Sequence, residues 1–209
     1  MPFSEKHQWL KWVQQLQAIA QTGLTYTKDV FDKQRYKMIQ QITAEIAANY
    51  SDVPQEKIIS LFQNEIGYAT PKVDVRGAVF QNDKILLAQE KSDQLWTLPG
   101  GWADIHESPS EVVEKEIREE SGYICKAKKL IAIYDMEKHA HPPQAYHVYK
   151  LIILCELIDG KATTSIETSA VDFYSEDDIP PLSINRITIE QIKRIFEHKH
   201  NTHFATDFD

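Results

Sequence analysis

Glu116, Glu119 and Glu120 stand at i, i+3 and i+4 in the stretch PGGWADIHESPSEVVEKEIREESGY, residues 99–123. On a helix that spacing puts three carboxylates on one face. Like charges so placed repel one another and raise one another's pKa. A hard divalent cation relieves the conflict, and an all-oxygen ligand set suits Mg2+ or Mn2+. The competing reading of three glutamates alone is a solvated acidic helix face. The flanks support the helix itself. Ser108, Pro109 and Glu111 match a capping box with Pro at the first helical position. Gly122 suits the left-handed residue that ends a helix. Val113 and Ile117 fall on another face, free to pack on a sheet. Ahead of the helix, Gly100-Gly101 lets backbone approach the site, where a carbonyl can add a ligand.

The full spacing decides between the readings. Gly101, five residues, Glu107, seven residues, then Lys115-Glu116-Ile117-x-Glu119-Glu120-x-Gly122 resembles the Nudix box, G-x5-E-x7-R-E-U-x-E-E-x-G-U, with U bulky and apolar. Lys115 replaces the family's Arg, keeping the charge but losing the planar fork. Reduced activity is the expected consequence, with Arg118 nearby in sequence. Tyr123 fills the closing position, bulky but not aliphatic.

The resemblance implies an α/β (α+β) fold, the Nudix α/β/α sandwich with a mixed sheet. It also implies hydrolysis of a diphosphate bridge by metal-activated water. Carried over by motif position, Glu116, Glu119 and Glu120 are the expected metal ligands and catalytic carboxylates, with Glu107 and the Gly100 carbonyl contributing. Related Nudix enzymes often place a glutamate where Ser165-Ile166-Glu167-Thr168-Ser169 stands, so Glu167 is the candidate general base or further ligand. A surface-loop glutamate is the alternative there.

Two further segments resemble one Nudix subgroup. These are Trp12–Tyr36, with Gly23-Leu24-Thr25-Tyr26-Thr27-Lys28-Asp29-Val30-Phe31, and His139-Ala140-His141-Pro142-Pro143-Gln144-Ala145-Tyr146-His147. That subgroup hydrolyses X-linked nucleoside diphosphates such as CDP-choline, and some members act on ADP-ribose or UDP-sugars. The candidate substrate contacts, read from the residues themselves, are Tyr26, Arg35, Tyr36, His141, Tyr146 and His147. Each has a plainer reading. Tyr26, Tyr36 and Tyr146 are also ordinary packing residues. Arg35, with Lys28, Lys33 and Lys37, is either a solvated helix face or a phosphate-facing patch. His139, His141 and His147 are read as a surface loop or a substrate-lining loop stiffened by Pro142-Pro143, with a zinc site as the lesser alternative because no Cys accompanies them.

The elements that must position these residues fall into two regions. Residues 1–70 read as a helical domain. Trp9, Trp12, Val13, Leu16 and Ile19 form the first apolar stripe, broken at Gly23–Thr27. Phe31, Met38, Ile39, Ile42 and Ile46 form the second. Ile58, Ile59, Leu61 and Phe62 form a third, with Pro54 in its first turn. Residues 71–209 read as the Nudix domain. Strands are expected around Val73–Phe80, Ile85–Ala88, Ile131–Tyr134, Tyr146–Leu157 and Val171–Tyr174, with Gln81-Asn82-Asp83 as a turn. A last helix starts near Asn185, and the tail from His198 is expected to fray.

Bulk properties bound the partners. The 209 residues are 42% apolar and 26% charged, ordinary for a globular chain. A net charge of −8 argues against a broad nucleic-acid footprint. Residues 1–70 carry seven basic and seven acidic side chains, so the helical region does not supply one either. Cys125 and Cys155 sit in no CxxC pattern and are expected as reduced thiols. No signal peptide or membrane span is legible, and a cytoplasmic location is expected. The apolar stripes of residues 1–70 exceed what a small unit buries by itself, so a homodimer is the expected assembly. A nucleotide sensor without hydrolysis and a housecleaning nucleoside triphosphate pyrophosphatase are the alternatives. The intact glutamates weigh against the first, the additional domain against the second.

Overall fold

The computed structural model describes residues 8–209. The chain divides into two compact units. One takes the chain up to Pro71 together with Pro143–His147, the other Lys72–Pro142 and Val148–Asp209.

Within the first unit lie α1 (Gln8–Tyr26), α2 (Val30–Tyr50) and α3 (Gln55–Gln63). Asp29 caps α2 by accepting from the Asp32 amide. The helices pack through Val13, Ala44, Ala47, Ile58 and Phe62. The buried line of α1 is Leu10, Val13, Gln17 and Ala20. The expected stripe is therefore corrected: Trp12 and Ile19 are exposed, and so are Phe31, Met38 and Ile42 of α2. The cause is close helix approach. Small residues such as Ala20, Thr43, Ala44 and Ala47 bring the backbones together, and large side chains point away from that seam. Gly23 does not break α1, which continues to Tyr26. A β-carbon there would run into the ring of Tyr36, so the glycine serves helix contact. Pro54 stands at the N-cap of α3, one position before the helical turn expected for it.

The second unit is built on a mixed eight-stranded sheet. Its strands are β1 (Lys72–Gln81), β2 (Lys84–Glu90), β3 (Trp96–Thr97), β4 (Gly100–Trp102), β5 (Tyr123–Asp135), β6 (Val148–Gly160), β7 (Thr168–Tyr174) and β8 (Asp207–Phe208). The order is β3-β2-β1-β6-β5-β8, with β4 also pairing β1 and β7 pairing β2. Asn82 and Asp83, both at positive φ, make the tight turn between β1 and β2. β1 runs parallel to β6, while β5 and β6 are antiparallel.

Helices α4 (Pro109–Ser121) and α5 (Ile189–His200) cover the two faces of this sheet. Alternation along β1 serves both layers. Val75 and Val79 meet Val112, Val113 and Ile117 of α4. Ala78 joins Ile192, Ile195 and Phe196 of α5. At Gly77 an added β-carbon would meet Ile117 Cδ1 at 2.5 Å, so α4 lies directly on β1. Burying one such Ile or Val side chain stabilises the fold by roughly 1.5–3 kcal/mol.

The C-terminal tail does not fray as expected. Asp207 accepts from Arg194 Nε at 2.6 Å and Arg194 Nη2 at 2.8 Å, and contacts His198 Nε2 at 3.1 Å. β8 then pairs parallel with β5. Helix α5 also begins later than expected, at Ile189, where Thr188 and Gln191 form a capping box.

Candidate active site

The α4 caps follow from local sequence. The Ser108 side chain accepts from the Glu111 amide, the Glu111 carboxylate returns to the Ser108 amide, and Pro109 opens the helix. Gly122 closes it at φ 76°. Between these stops the glutamates take different surroundings. Glu120 is buried and Glu116 mostly so, while the Glu119 side chain is 58% exposed beside Arg118.

Backbone reaches the site through β4. Arg76 pairs with Gly100, Val75 with Gly101 and Asp74 with Trp102. Gly100 adopts φ 144°, and a β-carbon on it would collide with the Val75 carbonyl. Its amide donates to Glu120 Oε2 at 2.8 Å. At Gly101 a β-carbon would meet Glu116 Oε2 at 3.3 Å. The two glycines thus lie against the two inner glutamates.

Burial pushes the Glu120 carboxyl up to about 7; Arg76 and the Gly100 amide oppose this, and Glu90 and Glu116 add to it. Glu116 is raised by burial against the opposing charge of Lys115, with Glu119 adding repulsion. Lys115 is shared by three carboxylates: Glu107 at 2.7 Å, Asp104 at 3.0 Å and Glu116 at 3.6 Å. Its hydrogen bonds to Glu107 and Asp104 raise its pKa. Lysine therefore supplies the cation at this position of the box without the bidentate fork, while Arg118 points to Glu119.

All the charged oxygens here are carboxylate, and two of them are pushed toward protonation by burial and mutual repulsion. That chemistry fits a hard divalent cation. Among the described residues no group of three His, Cys, Asp or Glu side chains converges closely enough to grip one ion as placed. Residues that fit are Glu116 and Glu120, with Glu107, Glu119 and Gly100 nearby in the same motif.

Glu167 is exposed on the loop before β7. Its carbonyl accepts from the Lys91 amide at 2.8 Å, and the next residue, Thr168, donates to the Glu120 carbonyl at 2.8 Å. The loop is thereby tied to the end of α4. His141 Nδ1 lies 2.7 Å from the Ile184 carbonyl, and burial pushes its pKa down to about 4. That fixes a neutral ring with Nε2 as an acceptor, and this atom is buried without a protein partner among the described residues. The other expected contacts belong to the first unit. Tyr26 and Tyr36 line a cleft of about 620 Å³ with Thr22, Thr27 and Tyr68. Arg35 is paired with Asp32 at 2.5 Å and stays largely exposed. Tyr146 and His147 fall in the Pro143–His147 segment that clusters with the helices.

Sequence reasoning missed the charges beneath the site. Asp74 and Arg76 on β1 and Lys150 on β6 are all buried. Arg76 Nη2 lies 2.8 Å from Asp74, and Lys150 bonds the same carboxylate. Burial works to raise Asp74, but both cations outweigh it and hold it down at about 2. Burial lowers Lys150 to about 8. Glu90, raised by burial, is held by Arg186 at 3.2 Å. The available signal was charge inside strand-patterned segments, since buried charges occur almost only when paired.

Residues 7–62 match the family model described as a UDP-X-like, N-terminal oligomerisation domain, and residues 70–195 match the NUDIX domain. The putative ADP-ribose pyrophosphatase of Bacillus subtilis (strain 168) is 48% identical over 201 residues, 96% of this chain and 97% of that protein. The crystal structure of a UDP-X diphosphatase covers 99% of this chain and 100% of its own, at 32% identity and TM-score 0.63. An ADP-ribose pyrophosphatase from Streptococcus suis 89-1591 covers 67% of this chain and 100% of its own, at 44% identity and TM-score 0.62. Fold, box and helical region agree with these relatives, and the chain belongs to the Nudix hydrolase family, as a pyrophosphatase of the kind that carries the UDP-X-like N-terminal domain.

Proposed function

We propose that this enzyme hydrolyses the diphosphate bridge of a nucleoside diphosphate linked to a second group, releasing a nucleoside monophosphate and phospho-X. ADP-ribose heads the candidates, with UDP-sugars and CDP-choline in the same class. The observation that carries the reading is the Gly100 amide bonded to Glu120, with Gly101 leaving little room for a side chain beside Glu116, in a chain whose relatives include a putative ADP-ribose pyrophosphatase.

Nudix hydrolases generally use divalent metal ions. Mg2+ or Mn2+ is the proposed ion here, held by Glu116, Glu119 and Glu120 with Glu107 and the Gly100 carbonyl. When bound, such an ion neutralises the bridge and acidifies the attacking water. The protein's own residues do the rest. Lys115 holds Glu107, from the loop before α4, beside Glu116 of the helix. Glu167 takes the proton from water. His141 offers a neutral acceptor to a hydroxyl or amino donor of the substrate. Tyr26, Tyr36 and Tyr146 supply flat apolar faces for base or ribose, and Arg35 supplies charge for phosphate. Glu167→Gln should lower kcat by ~100-fold, the usual scale for losing a general base; unchanged turnover removes it from the mechanism.

A homodimer is proposed for the assembly, with residues 1–70 as the helical domain that builds it and 71–209 as the catalytic domain. Supporting it are the exposed Trp12, Ile19, Phe31, Met38 and Ile42 and the oligomerisation domain that the segment matches. The test of substrate class is a panel of linked nucleoside diphosphates and nucleoside triphosphates, scored by phosphate release after phosphatase coupling. The reading expects the best linked diphosphate to exceed every triphosphate in kcat/KM by at least ~10-fold. The reverse order assigns the enzyme to triphosphates.

A further inference from the structure

Two cations share one carboxylate beneath the site. Asp74 accepts from Arg76 Nε at 3.0 and 3.2 Å and is bonded by Lys150 from the neighbouring strand. Register explains the meeting: Asp74 stands opposite Lys150 in the parallel β1–β6 pair. Burial of an ion pair seldom adds stability by itself, so the geometry of this one calls for a further use. Its output lies on the far side of the guanidinium. Arg76 Nη1 donates to the Leu98 carbonyl at 3.2 Å. The next carbonyl, Pro99, accepts from the Gly77 amide at 2.8 Å. The next amide, Gly100, donates to Glu120 Oε2 at 2.8 Å. Three successive residues are thus held by these bonds, with the Thr97 hydroxyl as a second donor to the Leu98 carbonyl at 3.3 Å, and the side-chain cation among these partners is Arg76.

We propose that Arg76 is a positioning residue, clamped by Asp74 and Lys150, that sets the Leu98–Gly100 backbone against Glu120. Arginine suits the task because its planar fork serves two directions at once. Nε and Nη2 engage Asp74, and Nη1 reaches Leu98. Lysine cannot span both. Lys150 secures Asp74 from the other strand, so the guanidinium has one orientation. Arg76 touches no reacting atom in this account; it acts through the backbone that carries Gly100. The effect on metal binding rests on the proposed role of Gly100 and Glu120, whereas the backbone effect does not.

The test uses the full-length protein without metal. Arg76→Gln leaves Asp74 paired with Lys150, and Arg76→Lys also keeps the charge, so folding is preserved in at least one of them. Amide hydrogen exchange is read at Gly100 and at β5–β6 core amides, and Mn2+ binding is read by electron paramagnetic resonance. Both variants should speed Gly100 exchange by at least ~10-fold with the core amides unchanged, and weaken Mn2+ binding by ~10–100-fold, the usual cost of losing a group that orients a ligand. Wild-type exchange at Gly100 in folded Arg76→Lys overturns the proposal. Should the wild-type protein bind no Mn2+, the metal reading fails and the exchange result alone decides.

Discussion

The amide of Gly100 donates to the carboxylate of Glu120 at 2.8 Å across twenty residues of sequence, joining the first loop of the box to its last helical turn. Glu120→Gln keeps an acceptor for that amide but removes the charge. Turnover should fall at least ~100-fold, because several kcal/mol of charge stabilisation in the transition state is lost. Circular dichroism and steady-state kinetics on the purified variant check it. Retention of more than about a tenth of wild-type kcat would remove Glu120 from the charge chemistry.

The same carboxylate makes stability depend on pH. Burial raises its folded pKa to about 7, above the ordinary 4.5. The folded state therefore holds the proton more tightly than the unfolded state. Glu120's contribution is fully present below about pH 4.5 and is lost as pH rises through 7, a change on the order of 3 kcal/mol. Metal-free wild-type protein should lose stability relative to Glu120→Gln between those limits in urea melts. Parallel curves for the two proteins would contradict this.

Lys115 binds three carboxylates, so its charge matters more than its shape. Lys115→Arg should keep kcat/KM within ~3-fold, while Lys115→Met should lose ~10-fold or more by leaving Glu107, Asp104 and Glu116 to repel one another. Equal activity in the Met variant would show that the carboxylates are separated by something else.

Much of this was legible locally. The capping box at Ser108 and Glu111, the stop at Gly122 and the Asn82-Asp83 turn are contacts between near neighbours, which sequence states directly. The Arg76–Asp74–Lys150 cluster was not, because Asp74 and Lys150 lie 76 residues apart and meet only through the β1–β6 register. The helical seam was misread for another reason. Periodicity weighs large apolar residues, whereas the buried positions here include the small Ala20, Thr43, Ala44 and Ala47.

The tail was misread because its polar composition hides one multiply bonded residue. Asp207 joins Arg194 and His198 of α5 to Tyr134 of β5. Asp207→Asn should cost about 2 kcal/mol, lowering Tm by roughly 4–8 °C, with kcat of the folded fraction unchanged. Calorimetry with parallel kinetics checks it. An unchanged Tm would mean that the tail adds nothing to the fold.

Metal-dependent cleavage of a linked diphosphate is the claim from which the site assignments descend. The most direct measurement incubates the full-length enzyme with ADP-ribose in EDTA, then with Mg2+ or Mn2+ restored, and separates the products by chromatography. The account predicts no turnover in EDTA and, once metal returns, AMP and ribose 5-phosphate in equal amounts. Full turnover in EDTA, or cleavage anywhere but the diphosphate bridge, would contradict it.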